Sequence, residues 1–319
     1  MSRAAVLGAA VAAAAALALF GRVLPDWVVF LATMAFAKGL VALGLVVLRR
    51  GGLVSFGQGL FYCVGAYAAG LVMRWTSVSD ALLLTALGGA AAFILALVIA
   101  PLLAGYRGIF FATLTLALSM IAYGVLNKTY SLGGSDGINL HAASFVGYAA
   151  PSSAAGSYAL FLVASLVTVA AAVLCRAHFD SMRGLLSLAS RDNEIRVEYL
   201  GASVRRVTMI NFAIAGTLGG VGGALAALAL GHIDPDFAFW TTSGEFVFLA
   251  ILAGHASVTA VFIASILLEL VRSYSSQYFP NAWQMALGIF LLLVILFLPD
   301  GLGVLLSRRR GAASEQSLR

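Results

Sequence analysis

Three ionisable side chains stand in apolar surroundings where charge is expensive. Lys38 lies about midway along the run 27–48, Glu245 just inside a later run, and Glu269 near the end of another. A charge held in lipid costs about 3 kcal/mol or more unless it meets a counter-charge or an aqueous path. All three are therefore expected either to pair or to face a cavity. A second group is polar but uncharged: Ser55, Gly57 and Gln58 close the string RRGGLVSFGQ at 49–58. Small residues there leave backbone groups open, and the hydroxyl and amide can hydrogen-bond a small polar solute. The third group is a charged interruption, SMRGLLSLASRDNEIRVEYLGASVRR from Ser181, in an otherwise greasy sequence.

This chemistry is binding and conduction rather than catalysis. The chain has no GxxxxGK[ST], GxSxG or HExxH string, so it holds neither a phosphate-binding loop nor a recognisable hydrolytic centre. His141, His178, His232 and His255 are dispersed, and Cys63 and Cys175 form no CxxC pair, so no metal or cofactor is expected. Energy for transport would come from a gradient or from another subunit.

The elements that must position these groups are membrane helices. With 62% hydrophobic and 10% charged residues, 319 residues cannot clothe a water-soluble globule. The apolar runs have the length of spanning helices rather than the short alternations of an outer-membrane barrel. Candidate spans fall near 4–20, 27–48, 59–74, 81–104, 109–126, 158–175, 207–230 and 283–298, while 244–272 reads either as one tilted helix or as two broken at Gly254–Ser257. Short cytoplasmic loops collect Lys and Arg. Two crossings in 244–272 put Arg3, Arg49, Arg50, Arg107, the arginines between 176 and 206, and Arg308, Arg309, Arg310 and Arg319 inside, leaving Arg22, Arg74, Lys128 and Arg272 outside. The expected architecture is an all-α bundle of about ten crossings with both termini cytoplasmic. The net charge of +6 then reflects orientation signals rather than nucleic-acid binding. Residues 1–20 read as a retained first helix, since their apolar core is longer than that of a cleaved signal.

Residues 49–58 suit a short half-helix or a re-entrant turn buried in protein. The segment 127–157 is the longest outer loop, and its string SLGGSDGINL could rest on an outside partner. Gly216, Gly219, Gly220 and Gly223 form two overlapping GxxxG pairs, which predict an intimate helix contact within the chain or across a dimer. From Gly184 to Gly201 the spacing predicts one short amphipathic helix, with Leu185, Leu188, Ile195 and Tyr199 broadly on one side and Asp192 paired to Arg196. Its polar side carries both signs of charge, which suits a protein partner better than a lipid surface.

Six fragments in order resemble the LivM-type permease subunits of bacterial ATP-binding cassette importers for branched-chain amino acids. They are GGLVSFGQGLFYCVGAY at 51–67, RGIFFATLTLA at 107–117, GGSDGI at 133–138, MRGLLSLASRDNEIRVEYLGA at 182–202, NFAIAGTLGGVGGA at 211–224 and LFLPDGL at 296–302. The resemblance implies a single permease domain over 1–306 with a cytoplasmic tail at 307–319, in a fold like that of the vitamin B12 importer (type II). It implies a homologous permease partner, two cytoplasmic ATPase subunits, an external solute-binding protein, and residence in the bacterial inner membrane. Residues 181–202 would be the segment that couples to the ATPase, through Arg183, Leu188, Arg191, Asn193, Glu194, Ile195 and Gly201. Lys38, Ser55, Gly57, Gln58 and Glu245 are the candidates for the translocation path.

The chain departs from the family at AGHASVTAVF, 253–262, where relatives carry a glycine run, and at Arg49 and Arg50. Urea, a short amide or an aromatic acid therefore stands beside a branched-chain amino acid as substrate. An ion-gradient-driven transporter is the competing class, and it would leave the mixed-charge arm without a role.

Overall fold

The structure is a computed structural model that describes residues 3–76, 78–145, 147–149, 152–254, 257–278, 280, 282–297 and 301–303. His255, the cluster Arg308, Arg309 and Arg310, and the tail at 307–319 lie outside the described residues. Twelve α-helices are described: α1 Arg3–Gly21, α2 Asp26–Arg50, α3 Gln58–Trp75, α4 Ala81–Leu103, α5 Gly108–Lys128, α6 Ser153–Phe179, α7 Met182–Asp192, α8 Glu194–Tyr199, α9 Val204–Leu230, α10 Trp240–Ala253, α11 Val258–Tyr278 and α12 Trp283–Phe297. Six of them, α2, α4, α5, α6, α9 and α11, are long and apolar enough to cross a membrane. The protein is thus an all-helical polytopic bundle.

The centre of the bundle is α2, buried continuously from Thr33 to Leu48. A helix apolar on every side belongs in a core, and α6, α9, α10 and α11 all pack against α2. On its other side α9 meets α3 and α4. The approach there is closer than side chains permit: a Cβ added at Gly223 would land on the Tyr62 carbonyl, and one at Gly65 on the carbonyl of Gly220. Gly216 and Gly219 face Phe61, and Gly220 also faces Ala92 of α4. This contact lies within one chain.

The ambiguous region resolves into two helices. Gly254 adopts φ +75, a conformation that L side chains rarely take, and α10 ends there. The loop after α5 does not stand free. Its strand β1 (Ile138–Asn139) pairs antiparallel with β4 (His232–Ile233), and β2 (Ser144–Phe145) pairs with β3 (Tyr148–Ala149). Ser144 also bonds Ser79 in the α3–α4 turn through both its backbone N–H and its hydroxyl. The loop is therefore fastened to its own chain.

Two segments enter the bundle without being helical. Residues 51–57 form a turn rather than a half-helix, with Leu53, Ser55 and Gly57 buried. The second runs from Gly231 through a 3-10 turn at Pro235–Ala238 to the start of α10. Ile233 packs on Gly70 near the C-terminal end of α3, whereas the Phe237 carbonyl faces Gly59 in its first turn. Eleven helical residues separate those two contacts, about 16 Å of rise, so this segment descends alongside most of α3.

Candidate functional site

The second segment reaches the first turn of α3, into which the first segment leads, and hydroxyl groups of α5 and α10 fasten this region. Gly59 N–H donates to Ser243 Oγ at 3.0 Å, and the Ser119 hydroxyl donates to the Ala238 carbonyl at 2.7 Å. Phe56 N–H donates to Thr115 Oγ1 at 3.1 Å, and Gly57 N–H to Ser55 Oγ at 3.1 Å. Ser119 is halfway along α5, so the meeting point is deep in the bundle. Irregular backbone at such depth occurs where it is buried in protein or lines a cavity. Gln58 opens α3 there at 0% exposure, and neither its amide nitrogen nor its amide oxygen has a partner among the described residues. A buried polar group without a partner loses about 1–3 kcal/mol, so this amide leaves a donor and an acceptor unsatisfied.

Beside this junction the isolated charges come together. Lys38 Nζ lies 2.9 Å from Glu269 Oε2 and 3.6 Å from Glu245 Oε2, and Arg272 Nη1 lies 3.4 Å from the same Glu245 oxygen. Two cations and two carboxylates balance, and their attraction offsets part of the desolvation penalty that each would carry alone. Lys38 and Glu245 are thus engaged with α11, and the cluster ties α2, α10 and α11 into one unit.

At the opposite end of α9 the charged arm is built differently from its expected form. It is two helices, because Asn193 leaves the helical conformation and its side-chain oxygen accepts from Arg196 N–H as the N-cap of α8. Among the described residues Asp192 and Arg196 form no ion pair; the break at Asn193 removes the i,i+4 register they need. Helix α7 is amphipathic with its polar side inward: Gly184, Ser187 and Ser190 are buried, and Leu185 and Leu188 are 53% and 36% exposed. Ile195 and Tyr199 continue the exposed set at 66% and 88%.

Asn211 of α9 explains the inward polar side. Its amide donates to Ser187 Oγ at 2.7 Å, and its oxygen faces His178 Nε2 at 3.1 Å. Arg107, in the α4–α5 turn, donates to Glu194 and to Thr208 of α9. Arg191 lies against Gly52, and Arg50 stacks on Phe179 with 4.2 Å between the guanidinium carbon and the ring centre. The arm is therefore joined to α9 through Ser187 and to the α4–α5 turn through Glu194, while Leu185, Leu188, Ile195 and Tyr199 stay exposed. Arg183 touches no carboxylate among the described residues, and Gly201 turns the chain into α9 with φ +83.

Sequence reasoning did not single out Thr115, Ser119, Asn211, Asp234, Ser243 or Arg272. Hydroxyls inside helices usually return to their own backbone, so Thr115, Ser119 and Ser243 carry no signal until the non-helical segments reach them. The one available sign was Asp234-Pro235-Asp236, a helix-breaking acidic string in apolar sequence.

A family model described as branched-chain amino acid transport system / permease component matches residues 27–298. The chain is 29% identical over 302 residues to the high-affinity branched-chain amino acid transport system permease protein LivM of Escherichia coli (strain K12), an alignment covering 85% of this chain and 69% of that protein. It is 28% identical, with the same coverage, to the LivM permease protein of Salmonella typhimurium. No solved structure matches it significantly.

Proposed function

The chain belongs to the branched-chain amino acid transport system permease family, and from that premise we propose that it is the membrane subunit of an ATP-binding cassette importer carrying a branched-chain amino acid or a related small polar solute into the cytoplasm. It spans the inner membrane about ten times in a type II arrangement, with both termini cytoplasmic. A homologous permease subunit, two ATPase subunits and an external solute-binding protein complete the assembly.

The observation that supports this reading is the approach of the non-helical segment 231–239 to the first turn of α3, where Gly59 bonds Ser243 of α10 and the Gln58 amide has no partner among the described residues. Discontinuous elements at depth are where transporters place their substrate groups. The translocation path passes Ser55, Gly57 and Gln58, and the Lys38–Glu245 group borders it. Helices α7 and α8 form the coupling arm, whose leucines enter a cleft of the ATPase while Arg183 and Arg191 line its rim. Closure of the ATPase pair moves the arm as a rigid body.

The test is uptake of radiolabelled leucine by the assembled complex in proteoliposomes. ATP-dependent uptake is expected, with loss of about tenfold or more in Gln58→Leu at unchanged complex abundance. Uptake that ignores ATP and collapses with an ion gradient would establish the gradient-driven alternative instead.

A further inference from the structure

The descending segment carries one acidic side chain inward on its way down α3. Asp236 is exposed, but Asp234 is half-buried, and its Oδ1 is shut off from solvent with no partner among the described residues. On the facing helix Tyr67 is 5% exposed, and its hydroxyl is likewise buried and without a partner among them. The two lie at one level. Ile233, the residue before Asp234, packs on Gly70, one turn from Tyr67 along α3. Above them, near the outer end of α3, a cleft of about 280 Å³ is lined by Met73, Arg74, Ile138, Asn139 and His141. Below them lies the junction at Gly59.

No Lys or Arg among the described residues pairs with Asp234. The backbone N–H groups of Asp236 and Phe237 and the ring of His232 stand near its carboxyl, yet Oδ1 keeps no hydrogen-bond partner among the described residues. An acceptor-only carboxylate oxygen and a phenolic oxygen, both dry and both unpaired, are complementary to a group with several N–H donors and a positive charge. A solute carboxylate would be repelled, and an apolar group would leave both oxygens orphaned.

We propose that Asp234 and Tyr67 form a binding station for the ammonium group of the transported solute, on the outer side of the Gly59–Ser243 junction. One ammonium N–H donates to Asp234 Oδ1 and a second to Tyr67 Oη, and the rest of the solute points along α3 towards Gln58. The inference rests on the permease reading for its place on a path, but the binding itself can be read without transport.

The experiment is thermal unfolding of the full complex in nanodiscs, titrated with leucine, with 3-methylbutan-1-amine, which keeps the ammonium and lacks the carboxylate, and with 4-methylpentanoate, which does the reverse. Leucine and the amine should raise the unfolding midpoint and 4-methylpentanoate should not. Asp234→Asn should raise the half-maximal concentration of both by about tenfold or more, the loss of a charge-assisted hydrogen bond, and Tyr67→Phe by about threefold. The proposal is overturned by no response of the wild type to the amine, by an equal response to sodium or potassium chloride, or by titrations unchanged in Asp234→Asn. Should Asp234→Asn fail to fold, an unchanged titration in Tyr67→Phe overturns it equally. Absence of ATP-driven uptake would remove the importer reading and leave these titrations standing.

Discussion

The amide nitrogen of Asn211 sits 2.7 Å from the hydroxyl of Ser187, and this bond fixes the arm helix α7 to the long helix α9. Because the same amide also meets His178 at the end of α6, one side chain organises the junction of three elements. Asn211→Leu should leave the Ser187 hydroxyl buried and unpaired, lowering the stability of the complex by about 1–3 kcal/mol. Its sharper effect is expected in coupling. Measured side by side in proteoliposomes, ATP hydrolysis should persist while solute uptake falls, and an equal retention of both would count against the joint.

Leu185 and Leu188 are exposed among charged neighbours while Ser187 and Ser190 are buried, so contact with an ATPase should be apolar at its centre. Leu185→Ser together with Leu188→Ser should weaken ATPase association by about tenfold or more, as loss of a buried anchor does. Glu194→Gln should change it by less than about threefold, because that carboxylate is committed to Arg107 and the pair is partly exposed. Titrating purified ATPase against the permease in nanodiscs separates the two. A larger effect at Glu194 would reverse the assignment.

Lys38 holds two carboxylates from two helices, so removing it leaves one cation for two anions. Lys38→Met should destabilise the protein by about 3–5 kcal/mol, the loss seen when one partner of a buried pair is deleted. The double substitution Lys38→Met, Glu269→Gln restores the charge balance with Arg272 and Glu245 and should recover most of that stability. Thermal unfolding of both variants checks this, and a double variant no better than the single one would contradict it.

The close approach of α3 and α9 depends on hydrogen in place of a side chain. Gly223→Ala would press a methyl onto the Tyr62 carbonyl and should cost about 1–3 kcal/mol or more. At Gly124 of α5 an added Cβ meets nothing within 4 Å, so Gly124→Ala should leave unfolding unchanged. The pair of measurements separates packing from a general intolerance of alanine.

Much of this arrangement is legible from residue types, and the limits have physical causes. Hydropathy places the helices because lipid demands about 20 apolar residues for each crossing. Asn193, which caps α8, and Gly254, which ends α10, are breaks that local chemistry announces, although continuous helical spacing across 184–201 masks the first. The charges at Lys38, Glu245 and Glu269 declare that each needs a partner, but not which one. Arg272 joins them only because α11 folds back on α2, and a one-dimensional reading places it on an outer segment. The descent of 231–239 along α3 carries no periodic signal at all, since pattern methods see helices and strands and this segment is neither. For the same reason Ser119, which bonds the segment, and Ser243, which bonds Gly59 beside it, look like ordinary helical hydroxyls.

Helix α9 runs unbroken for 27 residues, about 40 Å. The arm is bolted to its first two turns, the descending segment leaves from its last, and its glycines seat it against α3 and α4 in between. A rigid rotation of about 3° around the glycine seat would carry either tip by about an ångström, from the 1.5 Å rise per residue. That is a third of a hydrogen-bond length, enough to strain the bond between Ser119 and Ala238 at the far end of the descending segment without unwinding a single turn.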